Sequence, residues 1–529
     1  MKKKIIRACT VSMSVGFVKG MLPDLTKKYE VVLLSSPGPE MDEAREQYGV
    51  RTIEVPMERH ISPVKDFLSL CRLILVFLKE KPDMVHSMTP KAGLLCMTAA
   101  WLTRVPVRIH TFTGLVWPTS TGLKRRILML TDAITCWCAT HVIPEGEGVK
   151  ADLLNNGITH KPLRILGYGN VRGIDMQRFK KTTDDSDIFS HADLADHADN
   201  LYFDHGSTRI HTDFLKTKNQ KLKTKNSFEF LFVGRIVGDK GMNELMQAFQ
   251  RLSDKYANVR LVLVGRYEEN LDPLSQEALD IIASNPHIEA VGAQYGDDLV
   301  RSYAEADCFV FPSYREGFPN TVLEAGAMGL PCIVTDINGS REIITDIFSH
   351  ADLADHADNL YFDHGSTRIH TDDNLTHADL ADHADSFKPR IARIDTDDNI
   401  AHAEKQTNTN DTNNTNNFSH ADLADHADNL YFDHGSTRIH TDFLKTKNYT
   451  LKTVPPTDDT DRHGKVKTKT NGIIIPPRDT EALYEAMKMM VTDDNMRGAM
   501  ARNARPMIES RFEQGFVRKC LYDFYEETL

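Results

Sequence analysis

Short apolar runs along the chain alternate with longer stretches in which apolar residues recur every three or four positions, and this alternation predicts most of the architecture. Ahead of residue 182, runs at about 5–10, 30–35, 51–55, 83–87, 107–112 and 163–167 read as strands, and stretches such as 62–80, 90–103 and 121–137 read as helices between them. Strands alternating with helices of this length form βαβ units and a parallel sheet. The scheme returns in FEFLFVG (228–234), RLVLVG (260–265), IEAVG (288–292), CFVFPS (308–313), PCIVTD (331–336) and GIIIPP (472–477). Two amphipathic helices, about 479–508 and 513–528, follow the last strand and are expected to pack across both halves.

That regularity appears only after two interruptions are set aside. FSHADLADHADNLYFDHGSTRIHTDFLKTKN occurs at 189–219 and again, letter for letter, at 418–448. A shorter copy covers 347–372, and a fragment, THADLADHADS, stands at 376–386. Stacked solenoid repeats drift in sequence while keeping an apolar pattern, whereas these copies are identical and separated by unlike sequence, as recent insertions of one DNA element would be. TNTNDTNNTNN at 407–417 is polar and low in complexity, and the insertions are expected to be largely disordered. The expected organisation is a Rossmann-like domain at 1–181, an inserted repeat at 182–226, a second Rossmann-like domain split into 227–345 and 471–529, and inserted repeats at 346–470. The two domains would face one another across a cleft.

Composition refines this picture. A chain of 529 residues, 41% hydrophobic, is large enough for two cores. No run of about eighteen apolar residues occurs, and MKKKIIRACTVS leads into a strand pattern instead of a signal-peptide block, so a cytoplasmic protein is expected. Cys9, Cys71, Cys96, Cys308 and Cys332 lie among apolar neighbours, as reduced core thiols do, and the C-x-C of Cys136 and Cys138 has no second pair nearby. The net charge of −12 averages unlike regions: residues 1–181 hold 27 Lys and Arg against 16 Asp and Glu, a net of +11. A basic half suits a phosphate-bearing acceptor or a lipid surface, although a solvated face or nucleic acid gives a similar balance.

Ligands of parallel sheets bind beyond the carboxyl ends of strands, so the residues just after each strand carry the most information. After FEFLFVG come Gly234, Arg235 and Lys240 in GRIVGDKG, two cations beside a helix start that can neutralise a departing diphosphate. After CFVFPS comes SYREGFPNTVLEAGAMGLP, with Glu316 in a loop opened by Gly317 and Pro319, and Glu324 on the helix that Thr321 to Met328 would form. Glu324 at a helix start is ordinarily a capping charge. Beside free backbone N–H groups from Asn320 to Val322 that could cradle phosphate, it could instead accept ribose hydroxyls while Glu316 bonds a sugar.

EGFPNTVLE (316–324), GRIVGDKG (234–241) and NGIIIPPRDTEAL (471–483) resemble the family-four retaining glycosyltransferases of GT-B fold, whose signature is a Glu, seven residues, then a second Glu. The resemblance implies that Arg235 and Lys240 bind the diphosphate of a nucleotide-sugar donor, Glu324 its ribose, and Glu316 with Gly317, Phe318, Pro319, Asn320, Thr321 and Val322 the transferred sugar. The domain at 1–181 would then serve the acceptor. KPDMVHSMTPKAGLL (81–95), VPVRIHTFTGL (105–115) and GYGNVRGID (167–175) look like the branch that builds bacterial capsular and other lipid-linked surface polysaccharides, several members of which use UDP-sugars. A lipid-linked saccharide acceptor is implied, with no cofactor beyond the donor itself and no nucleic acid.

Two departures stand out. The family often has a second histidine after the strand ending at His86, where this chain has Met88, and Ser12, Gly16, Lys91 and His110 are candidates to serve the acceptor side instead. The long insertion after Thr345 sits at a turn the family closes in a few residues, near Glu342. Loop closure costs only about (3/2)RT ln n, so the sheet can carry it, yet the added chain could obstruct closing of the cleft. His191, Asp193, Asp196 and His197 recur within the repeat but lack a folded frame for a metal, and no metal site is expected. SPVKDFLSLCRLILVFLKEK (62–81) and GLKRRILML (122–130) mix apolar and basic residues as interfacial helices do, although core-facing helices of a Rossmann domain share that pattern. Peripheral contact with the inner face of the membrane is the partner expectation. The rival readings are a nucleotide-sugar epimerase and an insertion-disabled, non-catalytic nucleotide-sugar binding remnant.

Overall fold

Two runs of Val, Ile, Leu and Phe segments build two parallel sheets, because strands covered by helices on both faces must be apolar throughout. The computed structural model describes residues 2–58, 60–181, 227–268, 272–346 and 465–529, all within one compact unit. The first sheet contains β1 (Lys4–Ala8), β2 (Glu30–Ser35), β3 (Arg51–Glu54), β4 (Met84–Met88), β5 (Val107–Phe112) and β6 (His141–Pro144), in the order β3-β2-β1-β4-β5-β6, parallel throughout. The second contains β7 (Phe228–Val233), β8 (Val259–Val264), β9 (Ile288–Gly292), β10 (Cys308–Phe311), β11 (Cys332–Thr335), β12 (Lys467–Lys469) and β13 (Gly472–Ile475). Its order is β12-β13-β11-β10-β7-β8-β9, and only β12 runs antiparallel to its neighbour. The identical repeats, the tract at 407–417 and the His191, Asp193, Asp196 and His197 group lie outside the described residues.

Three differences from the sequence pattern have local causes. The expected strand at 163–167 is an extended segment outside the sheet: Leu166 is buried, while Arg164 lies over the Phe524 ring at 5.3 Å and pairs with Glu527. Its place at the sheet edge belongs to HVIP, only four residues long and ending in a proline, which pairs with β5 from Ile109↔His141 onward. The expected helix 479–508 is two, Thr480–Thr492 and Asp494–Phe512, because the Asp493 carboxylate accepts the Met496 N–H (2.9 Å) and caps a new start.

The final helix, Gln514–Thr528, returns to the first sheet and seals it. Leu521, Phe524 and Tyr525 join the core formed by Ile5, Val31, Leu33, Met84 and Ile109. Under this helix Arg7, the fourth residue of β1, is buried. Its guanidinium donates to the Tyr525 hydroxyl and to Met88 Sδ (3.1 Å) and lies 3.0 Å from His86 Nδ1. Burial, reinforced by the Arg7 charge and by His110, holds the His86 imidazole well below its usual range, so it is neutral, with Nε2 2.7 Å from the Thr111 hydroxyl. His86 and Met88 therefore both lie within β4, anchoring the closing helix. The cysteines among the described residues are free thiols, and six of them are buried, Cys136 and Cys138 included.

Candidate functional site

Strand order decides which loops meet. In the second sheet the chain progresses outward in both directions from β7 and β10, so the loops leaving their carboxyl ends part to opposite faces and open a crevice. GRIVGDKG leaves β7 and SYREGFP leaves β10 at that crevice. Gly241, at φ +70°, brings the two loops together: a Cβ there would lie 2.0 Å from the Pro312 carbonyl oxygen, a spacing no other residue tolerates. Lys240, ending a single 3-10 turn (Gly238–Lys240), consequently reaches the Glu316 carboxylate and pairs with it. Its ammonium stands 5.4 Å from the Phe311 ring centroid, and the Ser313 hydroxyl donates to Glu316 Oε1 at 2.7 Å.

Arg235 completes the group. It donates to Glu268 Oε2 (2.8 Å) and lies 3.9 Å from Asp239 Oδ2, which also accepts from Arg315 (3.4 Å). Burial alone would lower the guanidinium pKa, but the Glu268 hydrogen bond and the charges of Asp239, Glu268 and Glu316 outweigh it and raise it. Three cations and three carboxylates thus share one crevice. Such an array can receive an anion that displaces carboxylates from the cations.

The helix Asn320–Ala327 carries the second acid. Glu324 is buried, and its Oε2 accepts from the Tyr303 hydroxyl at 3.0 Å. Burial raises its pKa, opposed by the charge of Arg172, the Tyr303 bond and the charge of Arg178. Its bonded partner is thus Tyr303, not a member of the Arg235, Lys240 and Glu316 group.

The models of two families match the chain. Glycosyl transferases group 1 matches residues 213–358, and the glycosyl transferase 4-like domain matches residues 25–169. A capsular polysaccharide biosynthesis glycosyltransferase of Staphylococcus aureus, CapM, is 32% identical over 345 residues, covering 65% of this chain and 81% of that one. The chain belongs to the group 1 glycosyltransferases. An Escherichia coli UDP-Gal:alpha-D-GlcNAc-diphosphoundecaprenol alpha-1,3-galactosyltransferase is 28% identical over 306 residues, covering 56% of this chain and 70% of that one. Among solved structures, Anabaena HepE in complex with UDP aligns with a TM-score of 0.56 at 13% identity over the full length of both chains. The architecture is GT-B: two Rossmann-like domains, with insertions, in a glycosyltransferase.

Around the crevice of this group 1 glycosyltransferase, several residues singled out by motif turn elsewhere. The Phe318 ring is buried in the core, 5.3 Å from the Phe512 ring centroid. Val322 offers no N–H, since its buried amide donates to the Pro319 carbonyl (3.1 Å). Asn320 accepts from the Asn170 amide (3.0 Å) of GYGNVRGID, and the Thr321 carbonyl accepts from Tyr303 (3.3 Å). Gly234 ends β7, its N–H donating to the Val264 carbonyl (2.9 Å). On the first sheet, His110 lies within β5, buried against Gly93 and the Phe112 ring, with Nδ1 2.8 Å from the Ser87 hydroxyl. Burial holds it down to about 3, so it is a neutral, buried imidazole. Lys91 pairs with Asp66 (2.7 Å) and donates to the His60 carbonyl, which ties down the helix Pro63–Glu80. Ser12 is buried against Gly38, while Gly16 remains open.

The first sheet meets the crevice by other means. Gly317 lies against the Thr113–Gly114 loop after β5, where an added Cβ would fall 2.1 Å from the Thr113 carbonyl oxygen. Glu342 reaches across to the helix Glu147–Asn155, accepting from the N–H groups of Glu147 (2.7 Å) and Gly148 (3.0 Å) as well as from Gly339 (3.1 Å). Asn338 donates to Asp152 (2.7 Å) beside it. Glu145, just after β6, is buried in this seam, and sequence reasoning missed it because β6 itself was missed. Burial pushes its pKa up to about 8, opposed by the Val171 N–H and reinforced by the charges of Glu342 and Glu316. A carboxyl whose pKa is raised on folding contributes stability fully below about pH 4.5 and loses it as pH rises through about 8. Between about pH 6 and about pH 9 the parent is expected to lose about 5 °C of Tm, and Glu145→Gln less than half of that. Thermal unfolding at the two pH values checks this, and matching losses in both proteins would reject it.

Proposed function

We propose that this glycosyltransferase moves a sugar from a UDP-sugar to a lipid-linked saccharide during surface polysaccharide synthesis, with retention of anomeric configuration and without a metal. The observation that carries this reading is the joining of Arg235, Lys240 and Glu316 in one crevice, facing a loop of the first sheet across Gly317. Arg235 and Lys240 neutralise the diphosphate as it departs, and Glu316 holds a hydroxyl of the transferred sugar. Glu324 takes the ribose through the carboxylate oxygen that Tyr303 leaves unbonded. An acceptor hydroxyl attacks the anomeric carbon from the face the diphosphate leaves, so the bond to phosphate breaks as the new glycosidic bond forms on the same side. The proton of that hydroxyl passes to the departing phosphate oxygen. The named substrate of the E. coli relative, a diphosphoundecaprenol-linked sugar, supports the lipid-linked acceptor.

The outer surface of the first domain supports a site of action at a membrane. No helix among the described residues is long and apolar enough to cross one. Yet Val64, Phe67, Leu75 and Leu78 on the helix Pro63–Glu80, and Leu123, Leu130 and Trp137 on Gly122–Cys138, are exposed. The buried side of the first of these helices is Ser69, Leu73 and Phe77, so its outward apolar residues exceed what its core contact uses. Flanked by Lys65, Lys79, Lys124, Arg125 and Arg126, they suit the boundary of an anionic bilayer.

The test is a panel of UDP- and GDP-sugars with a polyprenyl-diphosphate saccharide embedded in anionic vesicles. The expected result is protein that sediments with the vesicles and a UDP-sugar-dependent, extended saccharide whose new linkage keeps the donor's anomeric configuration. Donor conversion without any acceptor product, or inversion in the product, would overturn the reading.

A further inference from the structure

The crevice already holds an anion against each of its cations, and one of those anions is placed to leave. Lys240 is paired with Glu316, Arg315 with Asp239, and Arg235 with Glu268. Glu316 is held a second time by the Ser313 hydroxyl, and Asp239 lies between two guanidinium groups at 3.4 and 3.9 Å. Glu268 differs from both. Its single bonded partner among the described residues is Arg235, at 2.8 Å. The backbone beneath the pair is fixed: Ile236 and Tyr267 form a parallel bridge that extends the β7 and β8 pairing, with the Ile236 N–H on the Arg266 carbonyl at 2.8 Å. The two side chains therefore meet by register of the sheet.

Resting on the donor-site reading above, we infer that Glu268 is the resting occupant of the diphosphate position, a carboxylate standing in for a phosphate oxygen on Arg235, so that donor binding is an exchange of one anion for another. It is a positioning residue that sets donor affinity by competing for Arg235. The consequence is selectivity by charge: a ligand with a diphosphate displaces Glu268, whereas a nucleoside without phosphate has nothing with which to displace it.

Calorimetric titration of the full chain with UDP, inorganic pyrophosphate and uridine tests this. Glu268→Gln, which keeps the shape and removes the charge, is expected to bind UDP and pyrophosphate about three- to tenfold more tightly than the parent and to leave uridine unchanged. In an Arg235→Ala background the same substitution should have no effect, since the competition acts through Arg235. Glu289→Gln, which removes an acid paired with Arg260 on the same sheet, should also leave UDP affinity unchanged. Weaker or equal UDP binding by Glu268→Gln, or equal tightening by Glu289→Gln, would overturn the inference while sparing the donor site. UDP affinity insensitive to Arg235→Ala would overturn both.

Discussion

Replacing Lys240 with Ala is expected to lower the single-turnover rate of sugar transfer about 10²- to 10³-fold at saturating donor, the usual cost of removing one preorganised group that stabilises developing charge. Lys240 is well placed for that cost. Its side chain is only 12% exposed, it pairs with Glu316, and the Phe311 ring stands behind its ammonium at 5.4 Å, so water can replace it poorly. The substitution acts twice, because Glu316 then loses its counter-charge in a mostly covered position and the leaving diphosphate loses a cation. Lys240→Arg restores charge but not the compact ammonium and should recover part of the rate. An unchanged melting temperature would assign the loss to chemistry. A loss below about tenfold would remove Lys240 from the mechanism.

A second large effect comes from a residue without a side chain. Gly317→Ala would place a methyl group 2.1 Å from the Thr113 carbonyl oxygen and 2.7 Å from the Gly114 nitrogen, both backbone atoms that cannot swing aside. The two loops must separate by about an ångström, and a misplacement of that size at a reacting centre costs about 10²-fold. We expect that fall in kcat/KM with UDP binding within about threefold of the parent, because neither Arg235 nor Lys240 takes part in that contact. Gly498→Ala is the control: the new methyl meets only Arg502, at an ordinary 3.5 Å. Equal activity of Gly317→Ala and the parent would mean that the loops need not approach for transfer.

Much of the frame was legible because strands buried on both faces must be apolar, as FEFLFVG and RLVLVG are. Where the signal was short it failed. HVIP offers four residues ending in proline, while LRILG has a strand's composition but spends it on the closing helix through Arg164 and Leu166. The group of Arg235, Lys240 and Glu316 could be anticipated from position after strands at a switch point. Its counter-ions could not. Glu268 meets Arg235 because β7 lies beside β8, and Glu145 meets Glu342 because two sheets face each other, and no local pattern encodes either adjacency. Position near a strand end also misleads: His110 and Lys91 pass that criterion, yet one is locked under Gly93 and Ser87 and the other onto Asp66.

The most direct test of the donor site is a crystal structure of the chain soaked with UDP. The diphosphate is expected on Arg235 and Lys240 in the crevice between β7 and β10, with Glu268 turned away from Arg235 and the ribose hydroxyls on Glu324. UDP bound elsewhere, with the Arg235 and Glu268 pair intact, would contradict it.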